Sequence, residues 1–309
     1  MKKTVISIVS ALLGCSLAFA QGADVTFIGR LEQNPLCESG EWSSYWGNSS
    51  LYGFIDGSIT ENLSYYAAAH FLGEDVPGLY EAIGKNEPSA LLNAYLTYET
   101  GIFSFSLGKT GSVIGCLEND EDDVMLHYPL ASVTWNYANT YLWGGIIGIQ
   151  PWESTGFELS VTSSPFVEKI FDGMQYSLKW SGEYGPVSTL WSIHRADLGE
   201  SSHLYYAALG TAVDFADSRI FVDSYVFDDY QESTLGYLQS IGEKFETIVT
   251  AGFTHEADKF HFRAGAGLHW YPLKDDALRV HAICGYNKLY ESTEFSFGAT
   301  YTLGFHLGR

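Results

Sequence analysis

Lys179, His194, His261, Arg263, His269, Arg279 and His281 are the side chains whose chemistry stands out, because each falls on the polar half of a stretch in which apolar and polar residues alternate. In "KFHFRAGAGLHW" (259–270), His261, Arg263 and His269 alternate with Phe260, Phe262, Leu268 and Trp270. In "LRVHAICGY" (278–286), Arg279 and His281 alternate with Leu278, Val280 and Ala282. Guanidinium and imidazole groups gathered on one wall make a positive strip, a field that orders water and steers anions. If residues 271–277 are the loop of a hairpin, His269 is expected opposite Arg279, and Gly267 opposite His281. The plainer alternative is that these groups keep the lumen polar and pair with acidic residues of the loops, since inward charge is expected in any channel wall.

A second cluster has the opposite sign. The run "LENDEDD" (117–123) places Glu118, Asp120, Glu121, Asp122 and Asp123 within a few residues of each other. Folded inward, it would constrict a pore and favour cations. At an outer surface its oxygens could hold Ca²⁺, although the spacing lacks the glycine of an EF-hand loop. The bland reading, a solvated acidic loop, has equal weight. No metal ligand set, cofactor or catalytic residue is assigned. The nine histidines are scattered, and neither a G-x-S-x-G nor an H-E-x-x-H motif occurs. A hydrolase is therefore placed behind a channel.

The elements that must position these groups are β-strands, because strict alternation sends successive side chains to opposite faces. The pattern recurs in "LSYYAAAHF" (63–71), "IFSFSLGK" (102–109), "MQYSLKW" (174–180) and "FSFGATYTLGF" (295–305). These runs approach the roughly 9–11 residues of a tilted membrane strand, against about 5–6 in soluble sheets. The apolar faces carry aromatics at their ends, Phe260 with Trp270 and Phe295 with Phe305, as the girdles of a barrel do. The polar faces are rich in Ser, Thr, Gly, His and Arg, groups that a dry core would leave unsatisfied. Lipid is expected outside and water inside.

Links at 60–62, 100–101, 137–139, 182–185, 216–218 and 256–258 read as tight turns, and 31–48, 73–89, 110–128, 195–202 and 228–244 as long loops. The fold class expected is an all-β transmembrane antiparallel barrel with short periplasmic turns and long extracellular loops. Its strands number about sixteen, with about fourteen as the alternative, since such barrels usually have even counts. Residues 150–171 leave the count open, holding either a strand at 157–162 or one long loop.

The amino terminus, "MKKTVISIVSALLGCSLAFA", reads as a secretory leader cleaved after Ala20, and residues 21–309 as one barrel domain. Removing Lys2 and Lys3 leaves 14 Lys and Arg against 37 Asp and Glu, a net charge of −23. That balance argues against nucleic acid and anionic-lipid surfaces as partners. Outer-membrane lipid and small hydrophilic solutes are the partners expected. The remaining cysteines, Cys37, Cys116 and Cys284, lack metal spacing, and Cys37 with Cys116 is the favoured pair because both fall in expected loops.

Several stretches resemble outer-membrane porins of the Bacteroidetes, distantly those of the phosphate-selective porin O/P group. They are "SSLYGFIDGSITENLSYYAAAHFL" (49–72), "FSLGKTGSVIG" (105–115), "YLWGG" (141–145), "TSSPF" (162–166) and "YSLKWSGEYGPVSTLWS" (176–192). The resemblance implies a barrel of about sixteen strands, often a homotrimer, through which small solutes or ions diffuse passively. Phosphate selectivity needs a basic pore, which a chain this acidic departs from. A plugged or gated binding barrel is the alternative, and a hydrolase at the rim a more remote one.

Overall fold

The computed structural model describes residues 22–45, 49–72, 91–111, 141–167, 170–199, 202–227, 230–256, 258–273 and 277–308. They form one antiparallel sheet of 17 strands. In chain order these are β1 (Gly22–Glu38), β2 (Glu41–Tyr45), β3 (Ser50–Thr60), β4 (Leu63–Leu72), β5 (Leu91–Thr100) and β6 (Phe103–Gly111). Then come β7 (Tyr141–Trp152), β8 (Thr155–Ser163), β9 (Met174–Tyr184), β10 (Val187–Gly199), β11 (Ser202–Phe215) and β12 (Ser218–Phe227). The last are β13 (Tyr230–Ile241), β14 (Phe245–Glu256), β15 (Lys259–Trp270), β16 (Leu278–Asn287) and β17 (Ser292–Gly308).

All but β2 close into a ring of sixteen. β1 makes the closure, hydrogen-bonded to β17 on one side and β3 on the other. β2 pairs only with the far end of β1, from Asn34↔Tyr45 to Glu38↔Glu41. The open question at 150–171 resolves in favour of a strand, since β8 pairs with both β7 and β9 and brings the count to sixteen.

Burial follows the alternation. On β15, Phe260 is 71% and Phe262 55% exposed, while Arg263 is 2% and His269 1%. A closed ring has no packing partner outside, so the exposed apolar set is the outer face and the polar set the inner one. Aromatic residues meet across strands at both ends of this outer face. Phe253 and Phe260 lie 5.5 Å apart at one end, and Trp180 and Trp191 5.3 Å apart at the other. Among the described residues the inner wall also has apolar sectors, one of Ile28, Tyr52, Phe54, Ala68 and Leu92, another of Ala196, Tyr206, Ala208 and Tyr225, and a third of Ala212, Phe221 and Ile248.

One end of the barrel has short links throughout, at 61–62, 101–102, 153–154, 185–186, 216–217, 242–244 and 271–277. The opposite end carries the long connections 73–90 and 112–140, but also two-residue links at 200–201, 228–229 and 257–258. Several expected loops are therefore strand. β1 runs on to Glu38 through the supposed loop at 31–48, β10 to Gly199, and β13 occupies most of 228–244. The turn at 256–258 exists, though at the end opposite the other short turns, and 137–139 lies outside the described residues. Cys37 sits in a ladder between Trp42 and Thr293 rather than in a loop, and it is a free thiol, while its expected partner Cys116 lies outside the described residues. Cys284 is also free and faces outward between Ala266 and Phe295.

Candidate pore wall

The seven expected wall residues divide into two groups on well-separated strands. Arg263, His269, Arg279 and His281 lie on β15 and β16, with His261 beside them on β15, and each of those first four is at most 3% exposed. Lys179 and His194 lie on β9 and β10, joined as neighbours in that hairpin. The expected register of the 271–277 hairpin is two residues off: His269 faces His281, and Gly267 faces Ile283. Leu278 and Arg279 pair only toward β17, with Tyr301 and Thr300. The stagger that a tilted barrel strand must have is taken up there.

Every basic side chain of the β15–β16 group that has a carboxylate partner finds it on the wall itself. Arg263 forms an ion pair with Glu232 and donates from Nη2 to Thr234 Oγ1 at 2.9 Å. His269 Nδ1 lies 2.9 Å from Glu246 Oε1. His281 Nε2 lies 3.2 Å from Glu32 Oε2 and 3.0 Å from Ser296 Oγ, and Arg30 Nε reaches the same Glu32 at 3.4 Å. Arg279 donates to Thr300 Oγ1 at 3.3 Å. On the other group, Lys179 is held by Glu158 at 2.7 Å.

Three of these contacts skip a strand, Arg263 with Glu232 and Thr234 and His281 with Glu32, and a glycine on the middle strand leaves room for them. Thr234 on β13 and Arg263 on β15 have the same register partner on β14, which is Gly252. His281 on β16 and Glu32 on β1 likewise share Gly298 on β17. With no side chain at those positions, Arg263 reaches Thr234 and His281 reaches Glu32 across the middle strand. A Cβ at position 298 would come within 2.8 Å of the His281 ring and 2.6 Å of the Leu31 carbonyl oxygen. The carboxylates Glu32, Glu158, Glu232 and Glu246 were not foreseen as partners. Their signal was present: "GRLEQN" (29–34) alternates Arg30, Glu32 and Asn34 with Leu31 and Gln33.

The short-link end of the wall is acidic. Two polar hollows there, of about 1170 and 530 Å³, are lined by Asp24, Asp56, Glu99, Glu158, Glu183 and Asp214 among others. The cations beside them are engaged with acids: Lys179 with Glu158, and Arg219 with Asp214 at 3.8 Å. The acidic run Glu118, Asp120, Glu121, Asp122 and Asp123 lies outside the described residues.

His194 bears on the hydrolase alternative. Its Nδ1 lies 2.7 Å from Ser177 Oγ and its Nε2 2.9 Å from Ser192 Oγ, with the ring stacked on Tyr206 at 4.3 Å. Two hydroxyls satisfy both nitrogens, and neither partner is the carboxylate that orients a catalytic base. Among the described residues, no group of three or more His, Cys, Asp or Glu side chains is placed to hold a metal ion.

No protein-family model matches this sequence, and no curated protein matches it either. Solved structures do match. A Vibrio cholerae outer membrane protein, OmpT in a trimer form, superposes with a TM-score of 0.62 at 14% identity, over 91% of this chain and 99% of that one. OmpT lacking loop L8 gives 0.62 at 13% identity, over 91% and 99%. A mutant of the porin of Rh. blastica gives 0.63 at 13% identity, over 91% of this chain and 100% of that one. At such identities the likeness speaks to architecture, and on architecture it agrees with the hydrogen-bonded ring: the chain has the sixteen-stranded barrel fold of outer-membrane porins.

Proposed function

We propose that this protein is an outer-membrane porin through which small hydrophilic solutes and ions diffuse passively, cations ahead of anions. The observation that carries the reading is the closed ring with an apolar outer face and an inner wall of paired charges and hydroxyls. Such a wall has no use in a dry core, where each buried ion costs several kcal/mol unless fully paired. Cation preference follows from the acids gathered at the short-link end, where the neighbouring cations are already engaged. Phosphate selectivity is not part of the proposal, because Arg263 and His281 are engaged with the wall carboxylates Glu232 and Glu32.

In this reading residues 1–20 are a leader removed on export, 21–309 form the one barrel domain, and the short-link end faces the periplasm. The barrel works without a cofactor and is not an enzyme. A homotrimer is the assembly we favour, by analogy with the trimer form described for the Vibrio cholerae protein.

The test is a single-channel recording of the refolded mature chain in a planar bilayer under a salt gradient. Steady conductance steps with a reversal potential of cationic sign are expected. A folded barrel without conductance would turn the proposal toward a plugged binding protein, and an anionic reversal potential would reject the selectivity.

A further inference from the structure

One row of paired residues on the inner wall carries two imidazoles between two carboxylates. From β14 across to β1 it runs Glu246–His269–His281–Gly298–Glu32. His269 and His281 face each other directly across β15 and β16, which sets their Cβ atoms about 5 Å apart. Each ring turns away from the other toward its own acid. His269 Nδ1 meets Glu246 Oε1 at 2.9 Å on one side. On the other, His281 Nε2 passes over Gly298 to meet Glu32 Oε2 at 3.2 Å.

The fixed charges around this pair cancel. Among the described residues, β14 brings Glu246, β16 brings Arg279, and β1 brings Arg30 and Glu32. The strands β13 and β17 present Ser240, Ser296, Gly298 and Thr300, none of which titrates. Arg30 Nε lies 3.4 Å from Glu32 Oε2, and Arg279 donates to Thr300 Oγ1 at 3.3 Å. Two guanidinium groups thus stand against two carboxylates. Lys244, in the turn before β14, is exposed and directed at the Pro272 carbonyl oxygen at 3.5 Å. Farther along β15, Arg263 is neutralised by Glu232, and His261 stands near the opposite end across from Thr254. The charge of this sector is therefore set by His269 and His281. Between about pH 8 and about pH 5 imidazole changes charge, while carboxylate and guanidinium groups keep theirs.

We propose that His269 and His281 are a proton-responsive pair that gives the lumen wall a positive charge in acid and so weakens the cation preference of the pore. With both imidazoles neutral, the acids of the short-link end act alone and cations lead. With both protonated, the row adds positive charge to the same lumen, and its field favours small anions. Both protons can be held at once because each imidazolium has a carboxylate of its own, on opposite sides of the pair. Uptake of the first opposes uptake of the second, so the two titrate as a coupled pair. The inference rests on the porin reading for its current, and on the wall geometry alone for its proton uptake.

The experiment is the reversal potential of the refolded mature barrel under a potassium chloride gradient, compared at about pH 8 and about pH 5. Salt is kept near about 0.1 M, where screening still leaves a reach of ~10 Å. The cation-over-anion permeability ratio should fall at least about twofold in acid, and the His269→Gln, His281→Gln double variant should lose most of that fall. His203→Gln, at the outer rim, should behave as the wild type, and heat-modifiable mobility shows that each variant is folded. A ratio that stays flat overturns the proposal. So does an equal fall in the double variant, which would assign the effect to the acids of the lumen mouth. Histidine NMR of the wild-type barrel in detergent separates this from the porin reading. Across the same range the two imidazoles should take up protons in coupled steps, each reduced to a single step when the other is Gln. A barrel that passes no current yet shows this titration would retire the porin and keep the pair. Imidazoles that stay neutral throughout would overturn the pair whether or not the barrel conducts.

Discussion

Arg263 and Glu232 are both almost fully enclosed, at 2% and 1% side-chain exposure, and that sets how each responds to substitution. Removing one member of a buried pair strands the other's charge, at a cost of ~3–5 kcal/mol. Glu232→Ala should therefore lower resistance to unfolding in urea by about that amount, whereas a neutral Arg263→Gln, Glu232→Gln double variant should recover most of it. Selectivity responds differently. Replacing Arg263 and Arg279 with Gln leaves the wall carboxylates in place and makes the lumen more negative. The reversal potential should move toward greater cation preference, and an unchanged value would remove these residues from the ion path. Gly298→Val should act on the same wall without altering charge, pushing His281 away from Glu32 and lowering the temperature of heat modification.

Adjacent glycines on β7 have opposite roles. A Cβ on Gly144 would run into the Val161 carbonyl and the Thr162 Cα, backbone that cannot turn aside. On Gly145 it would meet only ordinary neighbours. Gly144→Ala should destabilise the β7–β8 ladder by more than ~1 kcal/mol and reduce the yield of folded barrel, while Gly145→Ala should fold normally. The paired glycines of "YLWGG" (141–145) do not show by themselves which one allows a close approach, because that depends on the facing strand. The same limit explains what else could be read. Strands such as β15 and β17 were legible because their outer residues are aliphatic or aromatic and their inner ones polar. β13 was taken for loop because "YQESTLGYLQSI" (230–241) carries Glu232, Ser233 and Thr234 in succession. Beside an aqueous lumen, polarity marks an inner face as readily as a loop, so the usual sign of a chain break fails. The carboxylate partners escaped notice for a related reason. Glu232 meets Arg263, and Glu32 meets His281 besides its own-strand Arg30, two strands away, and such cross-strand pairing is fixed by register, which alternation does not encode.

At the scale of the whole molecule the defining event is closure. Gly22 on β1 faces Gly308 on β17, so the last rungs of the ring join residues from opposite ends of the sequence. Contacts this distant are reached slowly, because the intervening chain must first be ordered. Deleting β1 would leave β17 and β3 as open edges, and such a chain should aggregate rather than give a heat-modifiable band. Export can be checked separately, since N-terminal sequencing of the membrane-inserted form should begin at Gln21.

Because the first and last strands are neighbours along almost their entire length, the ring itself has no natural starting point. A linker of a few residues between Gly22 and Gly308, with the chain reopened at 216–217, would keep every rung and only change which strand is made first. Such a permuted barrel should reach the same folded band, arriving later or earlier but closing at a different seam.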